Sequence, residues 1–87
     1  NGDIFRTNSR RIKVSAYHHP RNGLLMLVSN LSAGQTTARV RFDTERLGLR
    51  PEGLEARDAI SNDPIALSMS QVSFEMAPFS YRYVWVQ

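Results

Sequence analysis

The chain has 87 residues, of which 41% are apolar and 22% charged, with a net charge of +3 and no cysteine. That length fits one small domain with a single core, burying only about 60–65% of the surface its unfolded form exposes. Disulfides, thiolate metal sites and cysteine nucleophiles are excluded together, and no apolar run approaches the roughly 20 residues of a membrane-spanning helix.

Residues 1–10, NGDIFRTNSR, carry no initiator Met, no signal segment and no cleavage motif, and read as a linker or N-terminal extension. Residues 11–87 are then one β domain, expected to be a piece of a larger protein. In 12–18, Ile12, Val14 and Ala16 alternate with Lys13, Ser15 and Tyr17, the period of a half-buried strand. PRNG at 20–23 signals a hairpin turn, Pro fixing φ and Asn-Gly allowing positive φ, and a second strand follows over 24–30. SAGQ at 32–35 is the next turn. Over 36–42, Ala38, Val40 and Phe42 point one way and Thr37, Arg39 and Arg41 the other.

TERLGL at 44–49 suffices for one helical turn closed by Gly48. A strand over 54–60, turn formers at 61–64, a brief strand at 65–67, an alternating strand at 71–76, a break at APFS and a last strand at 81–86 complete the chain. This pattern predicts an all-β, antiparallel β-sandwich of about six or seven short strands, immunoglobulin-like or similar to the C-terminal domain of amylases. Val14, Val28, Val40, Phe42, Phe74 and Val84 are the expected interior.

Catalytic and cofactor motifs are missing. His18 and His19 are the only histidines, and neighbours on a strand point to opposite faces, so they cannot share a metal. Asp43, Glu45, Glu52, Glu55, Asp58, Asp63 and Glu75 fall in turns or on wet strand faces, where solvated charge is the default, and the serines lack a nucleophile-elbow context. No catalytic residue, cofactor or metal site is assigned. Asn30-Leu31-Ser32 formally matches a glycosylation acceptor; a local role, hydrogen-bonding the backbone where the strand ends, suits it better.

Ten of the eleven basic residues are Arg, and Arg6, Arg10, Arg11, Lys13 and Arg21 crowd the N-terminal region. Nucleic-acid binding through that cluster is one reading. Against it, the remaining arginines are interspersed with Asp and Glu and no aromatic-basic ladder appears, so neither a nucleic-acid nor a membrane partner is assigned.

Two strands refuse to alternate. Leu24, Met26 and Val28 are apolar, and so are Leu25 and Leu27 between them; Tyr83 and Trp85 interleave with Val84 and Val86. A strand covered on one side needs one apolar face, so the second must meet something else. Leu25, Leu27, Tyr83 and Trp85 are therefore expected side by side on an outer surface that docks on another domain or, with Tyr17, stacks on sugar rings. Cut free, such a patch of a few hundred Å² would favour self-association.

The succession KVSAYHHPRNGLLMLVSNLS, ARVRFDTERLGL, EARDAI and PIALSMSQVSFEMAPFSYRYVWV resembles the C-terminal β-sandwich of multidomain glycoside hydrolases, particularly those similar to glycoside hydrolase family 123. The likeness rests on Val28 to Ser32, on Leu47 to Leu49, on Ala56 with Asp58 and Ala59, and on Pro78 with Tyr81. It implies a non-catalytic accessory domain supporting a (β/α)-barrel of the same polypeptide, in a periplasmic or extracellular setting. No catalytic residue carries over, because the family's catalytic carboxylates belong to the barrel. A carbohydrate-binding module using the exposed aromatics is the alternative.

Overall fold

The computed structural model describes residues 4–19 and 23–87. Its strands are β1 (Phe5–Thr7), β2 (Ile12–His19), β3 (Gly23–Asn30), β4 (Thr36–Phe42), β5 (Ala56–Asp58), β6 (Pro64–Ser68), β7 (Gln71–Met76) and β8 (Tyr81–Val86), with one helical turn, α1 (Thr44–Leu47). All pairings are antiparallel, in the order β1-β4-β7-β6-β5-β8-β3-β2. The expected all-β antiparallel class is thus present, with eight strands among the described residues where six or seven were expected. They form one continuous sheet rather than two separate ones.

The sheet rolls into a flattened, nearly closed barrel measuring 36 × 28 × 20 Å. One half, β1-β4-β7-β6, faces the other, β5-β8-β3-β2; pairing of β5 with β6 joins them along one side. Along the other side β1 and β2 approach each other without a ladder. Period-two alternation fills the space between the halves. Leu24, Met26, Val28, Val84 and Val86 from one half and Ala38, Val40, Phe42, Val72 and Met76 from the other are buried in one cluster. Of the six expected interior residues, five are buried and Val14 is half-buried. Its strand has eight residues but the facing β1 has three, so β1 covers only the start of β2, and Ser15 to His19 are all exposed.

Three local differences from the sequence reading have physical causes. Phe5–Thr7 lies in the stretch read as a linker or N-terminal extension, yet it forms β1 against β4. Asn8 fixes that pairing: its Nδ2 donates to the Thr37 carbonyl at 2.8 Å and its Oδ1 accepts from the Arg39 amide at 2.9 Å. The strand expected over 54–60 shrinks to Ala56–Asp58, because the Asp58 carboxylate accepts the Ile60 and Ser61 amides at 2.8 and 2.9 Å and folds the chain into a turn. Pro64, at the first position of β6, needs no amide partner, so the strand expected at 65–67 extends over Pro64–Ser68.

Turn chemistry follows the sequence elsewhere. Asp43 caps α1 by accepting from the Arg46 amide, and Gly48 closes it in the left-handed conformation at φ 69°, its amide and that of Leu49 reaching back to Glu45 and Thr44. Of the PRNG turn only Gly23 lies among the described residues. Its φ is 119°, and a Cβ there would sit 2.4 Å from the Val86 carbonyl oxygen, so this end of β3 requires glycine.

Candidate functional site

Pairing of β3 with β8 sets Leu25 opposite Trp85 and Leu27 opposite Tyr83. The inward set on the same strands, Leu24, Met26, Val28, Val84 and Val86, is fully buried, so the second set points outward, where all four side chains are half-buried. β2 extends the surface by placing Tyr17 opposite Leu25 and Ser15 opposite Leu27, and β5 places Arg57 opposite Trp85. One row across the sheet therefore reads Arg57, Trp85, Leu25, Tyr17, and the next reads Tyr83, Leu27, Ser15.

Aromatic packing shapes this face. Tyr81 and Tyr83, two apart on β8, meet edge to face with ring centroids 6.0 Å apart and planes at 82°. The Trp85 indole N–H donates to Gln87 Oε1, holding the ring at the strand's end. Tyr17 is 78% exposed. Beside it a shallow depression of about 210 Å³ is lined by Ser15, Ala16, Tyr17, Leu25, Leu27 and Tyr83. Charge is confined to the margins, with Arg57 on β5 and Lys13 on β2. A surface of this kind can exclude water from a broad contact, and its polar groups are the Ser15 hydroxyl, the Tyr17 and Tyr83 phenols and, further along the same face of β2, the His19 imidazole. A second hollow, about 440 Å³, lies at the β5–β6 bend; its lining includes one carboxylate, Glu55, and one guanidinium, Arg57.

Two polar clusters elsewhere organise the fold. Asn30 ends β3 fully buried: its Nδ2 donates to the carbonyls of Ala77 at 3.0 Å and Gly34 at 3.2 Å, with Met76 at 3.5 Å, and its Oδ1 accepts from the Ser32 amide at 3.0 Å. It ties the β3–β4 loop to the β7–β8 loop, which is the local backbone role expected of the SNLS segment. Arg82, by contrast, escaped sequence reading: paired with Val28, it turns toward the interior end of β8. Its guanidinium lies 5.2 Å from the Phe74 ring centroid, and its Nε donates to Asp58 Oδ2 at 2.8 Å. Asp58 also looked like a solvated carboxylate. The backbone amide of Ser61, then the Arg82 hydrogen bond, hold its pKa down at about 2. An arginine two positions from an inward Val84 was the signal available for this pair.

His18 and His19 sit opposite Leu24 and Gly23 on successive positions of β2, hence on opposite faces. Comparison with protein-family models, with curated proteins and with solved structures finds no match.

Proposed function

We propose that this chain is a non-catalytic accessory domain that docks on the catalytic domain of the same polypeptide through the outer face of β3 and β8. The observation that carries the proposal is the pairing of Leu25 with Trp85 and Leu27 with Tyr83 on a face whose opposite side already fills the domain's own core. A contiguous outward row of apolar and aromatic side chains suits the central part of an interdomain contact. The likeness to C-terminal sandwiches of glycoside hydrolases supplies the occupant, a (β/α)-barrel, and with it the immunoglobulin-like or amylase-C-terminal-like classification of the rolled sheet. Replacing Leu25 and Leu27 together by Asp in the encoded polypeptide tests this. The domain's circular dichroism is expected to be retained while limited proteolysis separates it from its neighbour faster; unchanged proteolysis contradicts the docking role.

The exposure of Tyr17 beside the depression favours a second reading, a carbohydrate-binding face formed by Tyr17, Tyr83 and Trp85. Titration of neutral oligosaccharides against Trp85 fluorescence separates the two. A saturable shift selective among oligosaccharides supports the binding module, and none supports the support role.

A further inference from the structure

The opposite side of the molecule has a different chemistry. On β1, β4 and β7 the side chains that alternate away from the core are Arg6, then Thr37, Arg39 and Arg41, then Gln71, Ser73 and Glu75. Arg6 stands directly opposite Arg41 in the ladder, and Arg41 opposite Gln71; Arg39 stands opposite Ser73. All three arginines are exposed, and none has a carboxylate within ion-pair distance among the described residues. Among the described residues, the acids flanking this face have other partners: Asp43, which shares a hollow with Arg6 and Arg41, caps α1 and faces Arg46 at 3.8 Å, while Glu75 accepts from Thr37 and Gln35 at the far end of β4. A shallow concavity of about 220 Å³ is bounded by Arg6, Arg39, Arg41 and Gln71 together with Thr7 and Asn8.

Like charges directly opposite one another on paired strands are unfavourable. Here the juxtaposition is enforced, because Asn8 locks the register of β1 against the backbone of β4. Strand geometry sets the Arg39 and Arg41 backbones about 7 Å apart along β4 and the Arg6 backbone about 5 Å from that of Arg41 across the ladder, and all three side chains line the same concavity. Guanidinium forks pair with planar or tetrahedral oxyanions through two parallel hydrogen bonds, and all three residues are Arg rather than Lys.

We propose that this face binds an acidic polysaccharide, Arg6, Arg39 and Arg41 receiving its sulfate or carboxylate groups and Gln71 and Ser73 its hydroxyls. Nucleic acid fits less well: the face carries no aromatic ring to stack a base, and its flat sheet offers neither a helix nor a protruding ribbon to a groove. The inference is independent of the docking reading, since this face points away from β3 and β8 and stays open when they are covered.

The test is binding of the chain to dextran sulfate, polygalacturonate, neutral dextran and oligo-deoxythymidine across a salt series, for the natural sequence and for R6Q/R41Q. Saturable binding to one or both acidic polysaccharides, at least tenfold weaker in R6Q/R41Q, is expected; the two polymers distinguish sulfate from carboxylate as the preferred group. The salt slope of log Kd should fall by about one to two on removing two cationic contacts. Thermal unfolding of R6Q/R41Q should occur at the same or a higher temperature, since opposed like charges are removed; a lower midpoint would make the arginines structural. Equal or tighter binding to oligo-deoxythymidine, equal binding to neutral dextran, or no binding to either acidic polymer at low salt overturns the proposal.

Discussion

Replacing Asn30 by Leu removes one side chain that serves two loops at once. Its amide N–H groups meet the Ala77 and Gly34 carbonyls at 3.0 and 3.2 Å, and its oxygen takes the Ser32 amide at 3.0 Å. Each lost bond costs about 1 kcal/mol net, and partners stranded away from water add to that, so a loss of about 3–4 kcal/mol is expected. In a domain this small that is a large part of the total stability, and the thermal midpoint should fall by about 15–25 °C. Urea unfolding followed by the fluorescence of Trp85, the chain's one tryptophan, reads the change, with the slope against urea unaltered. A loss below about 1 kcal/mol would refute the reasoning, because the two loops would then hold without their shared anchor. Asn30→Asp sharpens the test. At neutral pH it sets a buried carboxylate against carbonyl oxygens, so its folded-state pKa rises above that of the unfolded chain. Its deficit relative to the natural sequence should therefore shrink as pH falls through that raised value.

Three further outcomes follow from the same geometry. Asp58, with a folded pKa of about 2 against an ordinary 3.8, contributes about 2 kcal/mol that is fully present above about pH 5 and is lost as pH falls through the unfolded and then the folded value. Asp58→Asn should be less stable than the natural sequence at pH 7 and flatter between pH 5 and 2, so that the two curves converge; parallel curves in urea titrations would contradict the assignment. Phe74→Ala, which empties a buried ring site beneath the Arg82 guanidinium, should cost about 3–5 kcal/mol in the same assay, and a loss under about 1 kcal/mol would place the ring outside the core. The β6–β7 hairpin turns through Met69 and Ser70 at φ 52° and 63°, conformations that Asn-Gly adopts more readily, so M69N/S70G should gain about 1 kcal/mol. A lower thermal midpoint for that variant would show that the Met69 or Ser70 side chain is needed for stability.

Alternation carried most of the architecture. In 36–42 and 71–76 one face is apolar and one polar, which fixes strand, facing and core at once, and each of Val40, Phe42 and Phe74 is buried. The double apolar character of 24–28 and 81–86 likewise marked β3 and β8 as neighbouring strands with an apolar set on each face, the inner one buried and the outer one half-buried. What escaped depends on partners distant in sequence. Phe5-Arg6-Thr7 is too short to show a period, and it becomes a strand through its ladder with β4, reinforced by the Asn8 side chain on the backbone of β4 about thirty residues on. The Arg6–Arg41 juxtaposition is a consequence of that register and could not be read before it. Val14 has the right period but lacks full cover, since alternation says which way a side chain points and not how long the facing strand is. Asp58 and Arg82 looked like ordinary surface charges because their pairing depends on where the β5–β6 turn folds back against β8.

Hydroxyl-radical footprinting with mass spectrometry, applied to the isolated 87-residue chain and to the full polypeptide that the docking proposal requires around it, tests that proposal most directly. Leu25, Leu27, Tyr83 and Trp85 should be oxidised at half or less of their isolated-chain rate in the full polypeptide, while Met69, 88% exposed at the β6–β7 turn, serves as an unprotected reference. Equal oxidation of the four side chains in both forms would contradict the account and leave the outer face of β3 and β8 an open surface.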